Sequence, residues 1–372
     1  MQATVQRIMS YMEDIAPASI ALPGDPVGLQ LGDPDAEISK ILVALDPDQT
    51  ALDEAIACGA EMLVTHHPLF YNKLSSIDES TPAGHFVASA IRNRRHIFCA
   101  HTNFDVAPQG VSHQLLKRLG LKAESLMLLE KTGNEQLLKL VVFIPVGHED
   151  DIREALAAAG AGQIGSYSHC TFQTEGQGTF MPAEGTKPFI GNSGQLETVD
   201  EVRLETILPA TRRSNVLRAL LHAHPYEEVA YDLYPLDLEG RAIGMGLIVD
   251  LAEPLTIDIL LQICRERLKT ESIRLAASAK TLIKRVALCG GSGGSLIEHA
   301  AYRRADLFIS GDFRYHDLKL AQSLGIALID AGHDSTEIPA VQYLQQYLEK
   351  RIMADGFKTV VLLQTTVQAG WK

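Results

Sequence analysis

Cysteine is scarce and scattered in this chain: Cys58, Cys99, Cys170, Cys264 and Cys289 are odd in number, far apart, and form no CxxC pair. That argues against a disulfide framework and against a cysteine-based zinc site. Long hydrophobic runs are also missing, and no apolar stretch approaches the roughly 18 residues that span a bilayer. Positive charge is short as well. The formal net charge is −13, and the densest basic stretch, Arg92-Asn93-Arg94-Arg95, reads as a solvated helix end. Nucleic acid and anionic membrane both need clustered Lys and Arg, so neither is an expected partner. The N-terminus, MQATVQRIMSYMEDIAPASI, carries acids in an amphipathic pattern and lacks a small-residue cleavage site. It reads as a first helix, not a signal peptide. A cytoplasmic location is the resulting expectation.

What is present describes a globular protein. Hydrophobic residues make up 46% and charged residues 21% of 372 positions, enough to bury a sizeable core in two or three domains. The first part alternates strand and helix: strands at 41–45, 62–65 and 97–100, helices at 50–58 and 85–94. The last part repeats the pattern, with strands at 286–288, 307–309, 326–329 and 357–367 and helices at 295–304, 317–323 and 341–352. Such spacing predicts an α/β fold with a mostly parallel sheet. The middle differs. Strands at 138–145, 202–208 and 228–233 and helices at 149–159 and 212–222 give a β-α-β…β-α-β order, around a Gly-, Ser- and Thr-rich stretch at 160–194. This order predicts an inserted ferredoxin-like α+β domain. The expected organisation is a split α/β core, 1–132 and 236–372, interrupted by an insert at 133–235.

Metal-ligand side chains stand directly after predicted strands: His66-His67 after the second, Asp105 after the third, and His333 with Glu337 after a later one. Ligands bind at the carboxyl ends of parallel strands, where loops converge on a crevice. Adjacent histidines on extended backbone point in opposite directions and can serve two ions. A glutamate with two oxygens can bridge two cations, as in two-metal hydrolases. The mixed imidazole and carboxylate set suits Zn, Fe, Mn, Co or Ni. Asp46, His101 and His316 are candidates for orienting ligands or moving protons, His101 and His316 as the catalytic pair. The bland reading is that His66-His67-Pro68 merely ends a strand and Glu337 merely caps a helix. Five such residues at three strand ends weigh against it.

These residues carry a resemblance. Val64-Thr65-His66-His67-Pro68-Leu69-Phe70, Ala100-His101-Thr102-Asn103-Phe104-Asp105 and Gly332-His333-Asp334-Ser335-Thr336-Glu337 resemble three signatures of the NIF-three-like family. Gly28-Leu29-Gln30 and Ser310-Gly311-Asp312-Phe313-Arg314-Tyr315-His316 match as well. The members are known as GTP cyclohydrolase I type 2 homologues, and the middle, including His224-Pro225-Tyr226-Glu227-Glu228, resembles the PII-like insert of the longer ones. The resemblance implies two divalent metal ions per chain: His66, Asp105 and Glu337 on one, His67, His333 and Glu337 on the other. It also implies a ring-shaped homo-hexamer, a dimer of trimers with metals facing an internal cavity. Where the family often has a Trp-Asp-Asn type triplet before Gly28, this chain has Gly24-Asp25-Pro26.

Two further stretches compete for attention. Leu288-Cys289-Gly290-Gly291-Ser292-Gly293-Gly294-Ser295 reads as a tight turn, as a backbone cradle for phosphate, or as a G-x-S-x-G elbow with Ser292 as nucleophile. His222, His224 and Tyr226-Glu227-Glu228 read more naturally as a helix-to-strand turn than as a further metal cluster. The expected function is a metal-dependent hydrolase acting on a nucleotide-like or phosphorylated small molecule. A non-catalytic metal-binding or regulatory protein sensing an effector through the insert is the alternative, and a serine hydrolase the third option.

Overall fold

Three consecutive apolar runs, Lys40–Ala44, Met62–Thr65 and His96–Cys99, form the centre of one sheet and are buried almost throughout. Strands covered on both faces need apolar side chains at successive positions, which is why these runs do not alternate with polar residues. In the computed structural model, which describes residues 1–71, 75–276 and 281–365, they pair in parallel. Val360–Leu363 adds a fourth parallel strand beside Lys40–Ala44, and Gly28–Leu31 closes the other edge antiparallel to His96–Cys99. The crossover helix Gln49–Cys58 starts where Asp48 accepts the Ala51 N–H and stops at Gly59, whose φ of 74° is left-handed. Thr81 caps Pro82–Arg92 in the same way through the Gly84 N–H.

The chain divides into two compact units, Met1–Gly133 with Ile243–Lys372, and Asn134–Ala242. The first unit holds a further sheet in which Leu282–Ser292, Leu307–Gly311 and Ala327–Asp330 run parallel. Arg274–Ala276 and residues 247–256 of the strand Tyr231–Thr256 flank them antiparallel. The core is therefore a mixed α/β structure with two large sheets, and a two-stranded pair of Ala3–Thr4 with Glu37–Ile38, among the described residues, instead of one mostly parallel sheet.

Two helices lie between these sheets. Val341, Leu344, Leu348 and Ile352 of His333–Ala354 pack with Ile41, Val43 and Val64 of the first sheet. The same helix touches Leu282–Ser292 and Leu307–Gly311 of the second. Val111–Leu119 does likewise: Val111 packs with the first cluster, and Leu115 and Leu119 with Leu288, Leu307 and Ile329. Sharing these helices brings the carboxyl ends of strands from both sheets to one place.

Several elements differ from the sequence expectation. The helix expected at 341–352 begins at His333 and runs through Pro339 in its second turn, which removes the hydrogen bond to the Ser335 carbonyl without ending the helix. The helix expected at 295–304 is a short 3-10 turn followed by Ile297–Tyr302. The last strand is Val360–Leu363, and residues 366 and 367 of its expected span lie outside the described residues. Val111–Leu119 and Ile257–Leu268 are helices the periodicity did not single out.

Asn134–Ala242 has its own core of Leu140, Val142, Ile144, Ile152, Leu156, Leu204, Leu208, Val216 and Leu220. Helices Glu149–Ala158 and Arg213–Ala223 pack together on one side. Within the 160–194 stretch, Thr171–Phe180 forms a strand that pairs antiparallel with Glu197–Pro209. Glu197–Pro209 in turn pairs antiparallel with residues 137–145.

Candidate metal centre

His66 and His67 leave the Met62–Thr65 strand at its carboxyl end, and two anchors hold that turn. Thr65 Oγ1 donates to the His67 carbonyl at 2.8 Å, and the Gln30 side-chain Oε1 accepts the Leu69 N–H at 2.6 Å. His101 follows His96–Cys99 as the N-cap of the short helix Thr102–Asp105, which ends in Asp105. His333 opens the helix His333–Ala354, so Glu337 falls one turn later on the same side. Gly332 has φ 87°, which turns the chain from its strand directly into that helix.

These elements bring four imidazole and carboxylate groups onto Glu337 or next to it. Glu337 Oε1 lies 3.6 Å from His66 Nε2, and its Oε2 lies 3.1 Å from His67 Nε2 and 3.2 Å from His333 Nε2. Asp105 Oδ1 is 3.6 Å from His66 Nε2 on the other side. The Nε2 atoms of His67 and His333 face each other at 3.3 Å. His66, His67 and Glu337 form a group whose ligand atoms all lie within 4.8 Å of one another and can hold a metal ion.

The opposite edges of the rings are already engaged. His66 Nδ1 donates to the Ala100 carbonyl at 2.8 Å, which fixes that ring's tautomer because a carbonyl can only accept. His67 Nδ1 bonds Asp46 at 2.7 Å, His333 Nδ1 bonds Asp312 at 2.7 Å, and His101 Nδ1 bonds Asp25 at 2.8 Å. With Nδ1 so held, the neutral ring presents its lone pair at Nε2, the usual arrangement of metal-ligating histidines. Asp312 adopts φ 58°, unusual for a non-glycine residue, in reaching His333.

The fit to a cation can be tested on the buried atoms. His66 is 0% and Glu337 4% exposed. Yet among the described residues His66 Nε2 and Glu337 Oε2 stand without a neutral hydrogen-bond partner, facing each other's group and the neighbouring imidazole nitrogens at 3.1–3.6 Å. Burying such groups unsatisfied costs on the order of several kcal/mol. A divalent cation at the point they face removes that cost, and the donor set of imidazole and carboxylate fits one.

The protonation balance has the same origin. Burial opposes charging His67, but Asp46 and Glu337 push it up to about 10. The Glu337 carboxylate raises His333 to about 9 against burial. Burial also opposes charge on His66, yet Glu337 and Asp105 raise it. Burial moves Asp105 up to about 6, while burial of Glu337 is overcome by its imidazole neighbours and its carboxyl stays well below the usual range. Without metal, protons supply the positive charge these carboxylates require.

A family model for Duf34/NIF3 (NGG1p interacting factor 3) matches residues 3–367. The chain belongs to this family. Among curated Duf34/NIF3 relatives, a GTP cyclohydrolase 1 type 2 homolog of Halalkalibacterium halodurans is 40% identical over 360 residues, 97% of this chain and 96% of the relative. One from Bacillus subtilis is 37% identical over 333 residues, covering 90% and 89%. Of solved structures, a Bacillus cereus protein related to NIF3 superposes with a TM-score of 0.81 at 38% identity, covering 100% of this chain and 99% of that one.

The remaining candidates of this Duf34/NIF3 chain separate clearly. His101 stacks edge-on near the cluster, its ring 5.5 Å from His66 and 5.9 Å from His67. His316 is exposed on Tyr315–Leu324 and contacts the Tyr315 ring; among the described residues, no hydrogen bond or ion pair joins it to the cluster. In the glycine-rich stretch, a Cβ on Gly291 would stand 2.2 Å from Glu337 Oε1, and one on Gly293 2.3 Å from Ser310 Oγ. The glycines allow close approach, Gly291 to the Glu337 carboxylate itself. Ser292 is exposed beside them. His224 uses both ring nitrogens, toward the Phe143 carbonyl at 3.0 Å and the Tyr226 N–H at 3.1 Å, which agrees with the turn reading.

Sequence reasoning missed Asp25 and Asp312. Asp25 also accepts the Thr102 N–H at 2.9 Å, and it occupies the middle of the Gly24-Asp25-Pro26 departure. Its carboxyl is buried, but the bonds from Thr102 and His101 hold it below the usual range. Asp312 directly follows a strand end, the same signal that marks the histidines.

Proposed function

We propose that this chain holds two divalent cations and acts as a metal-dependent hydrolase on a nucleotide-like or phosphorylated small molecule. The observation that carries this reading is the convergence of three imidazole Nε2 atoms and the Asp105 carboxylate around Glu337, whose two oxygens face different partners. His66, Asp105 and Glu337 would hold one ion, and His67, His333 and Glu337 the other. Bound cations supply Lewis acidity and lower the pKa of water to near neutrality.

The chain's own residues do the rest. Asp46, Asp312 and the Ala100 carbonyl keep the three rings oriented by accepting from Nδ1. Asp25 holds His101 at the edge of the cluster, where it can move a proton to or from substrate. His316 is the weaker proton-moving candidate, since nothing positions it toward Glu337.

Elemental analysis of unchelated protein, with turnover measured on a panel of nucleotides, phosphoesters and cyclic amides, tests this reading. His67→Ala is expected to lose metal and turnover together. Loss of metal with turnover intact contradicts it.

A second reading, a non-catalytic metal-binding protein that senses an effector, is favoured by the cavity within Asn134–Ala242 described below. Binding without turnover across the panel supports it. We read Asn134–Ala242 as the ferredoxin-like, PII-like insert, supported by its β-α-β-β-α-β run and antiparallel pairing. A homo-hexamer follows from the family resemblance, and light scattering on the purified protein checks it.

A further inference from the structure

The unit Asn134–Ala242 contains a cavity of about 690 Å³, within the range of small-molecule sites. Its walls are largely apolar, and three rings tilt around one another there. Phe180 and Tyr226 have centroids 6.1 Å apart at 57°, and Phe189 and Tyr226 6.3 Å apart at 52°. Phe189 is 54% exposed, unusual for phenylalanine, at a position where a bound molecule would cover it.

Glu201 also lines the cavity and is only 9% exposed. Its Oε1 accepts from the Tyr226 hydroxyl at 3.1 Å, and among the described residues no cation pairs with it. Burial and the Glu201 carboxylate both raise the Tyr226 phenol, so Tyr226 donates its proton and stays neutral. A carboxylate this buried ordinarily has a positive partner. The rest of the lining increases the negative excess. Glu175, Glu227 and Glu228 are there too, whereas the one cationic lining residue, Arg203, pairs with Glu205 at 3.0 Å.

Tilted aromatic faces beside an unneutralised carboxylate are the chemistry that recognises an organic cation, through ring quadrupoles on one side and charge on the other. We propose that this cavity binds a small organic cation, an ammonium group on an apolar body, with Glu201 as its counter-charge and Phe180, Phe189 and Tyr226 as its walls. The site does not depend on the metal centre and holds under either functional reading. Anionic ligands such as nucleotides are disfavoured, because they would bring phosphate against four carboxylates.

The test is calorimetric titration of the full-length protein with three probes of one shape: phenethylamine (cationic), 2-phenylethanol (neutral) and phenylacetate (anionic), with ATP as a fourth. Saturable binding of phenethylamine is expected, about tenfold or more tighter than 2-phenylethanol, with no binding of phenylacetate or ATP. Glu201→Gln is expected to abolish the preference for the amine over the alcohol. Phe189→Ala, at a half-exposed position, should weaken the amine by about tenfold while the protein melts as before. Equal binding of amine and alcohol overturns the proposal, as does tighter binding of ATP or phenylacetate, or no binding of the amine at all. The comparison among probes on the unaltered protein decides the matter even if Glu201→Gln fails to fold.

Discussion

The two buried carboxylates at the centre of this chain's candidate sites, Glu337 and Glu201, are handled in opposite ways. Around Glu337 the carboxylate is fully withdrawn from water, and every surrounding ring is fixed from behind by a second acceptor. Around Glu201, among the described residues, the carboxylate has a single phenol partner, and its neighbours include the half-exposed Phe189 ring. The first is preorganised on strand ends and a helix start, so its side chains have almost no freedom to relax. The second sits among side chains that can move. Substitutions near Glu337 should therefore cost metal and stability, whereas substitutions near Glu201 should cost binding alone.

The largest expected effect lies at the shared carboxylate. Glu337→Gln should remove nearly all bound metal, because both proposed ion positions use its oxygens; elemental analysis of the purified variant checks this. Leu344→Ala, in the helix that carries Glu337, should destabilise the protein by about 2–5 kcal/mol, since Leu344 is fully buried between packed side chains. A chemical melt measures it. If the metal is lost as well, the helix is less rigid than the comparison assumes.

The orienting acceptors come next. Asp312→Asn should weaken metal affinity by about 10–100-fold while the fold stays intact, measured by competition with a chelator. An unchanged affinity would mean that His333 needs no support.

The pH dependence separates the proton-filled from the metal-filled centre. His67 and His333 are raised to about 10 and about 9 from an ordinary value of 6.5. A raised folded value stabilises most below the unfolded value and loses that contribution as pH climbs through the folded one. Chelated protein should therefore lose melting temperature between about pH 7 and pH 10, and metal-loaded protein should not, since bound ligands are already deprotonated. Equal slopes in both states would contradict the account. The smallest effect belongs to a half-buried ion pair outside the metal cluster. Arg285 makes two bonds to Asp250, at 2.6 and 2.8 Å, that hold the Asp250 carboxyl down at about 2. Because the pair is still partly open to water, Arg285→Ala should cost only about 0.5–1 kcal/mol in a denaturant melt.

How much of this is legible in the sequence depends on how a residue is placed. His66 and His67 stand directly after a run of four buried residues, so strand, crevice and ligand follow from one another. Glu337 is legible through its spacing of four from His333. Asp312 is only half legible: it follows a strand end as the histidines do, but its reach to His333 depends on a left-handed backbone angle that the spacing does not reveal. Gly291 reads as an ordinary turn glycine until the Glu337 carboxylate is seen where its Cβ would stand. The second sheet is hidden for a different reason. Strand–helix alternation predicts parallel neighbours, but it is silent on which strands share a sheet and on antiparallel edges such as Arg274–Ala276. The aromatic cavity is beyond periodicity altogether, since Phe180, Phe189, Glu201 and Tyr226 come from four separate stretches.

Anomalous diffraction from crystals of protein purified without chelators tests the central claim most directly. The account predicts two separate peaks, one among His66, Asp105 and Glu337 and one among His67, His333 and Glu337. A single peak remote from Glu337, or none in metal-loaded crystals, would contradict it.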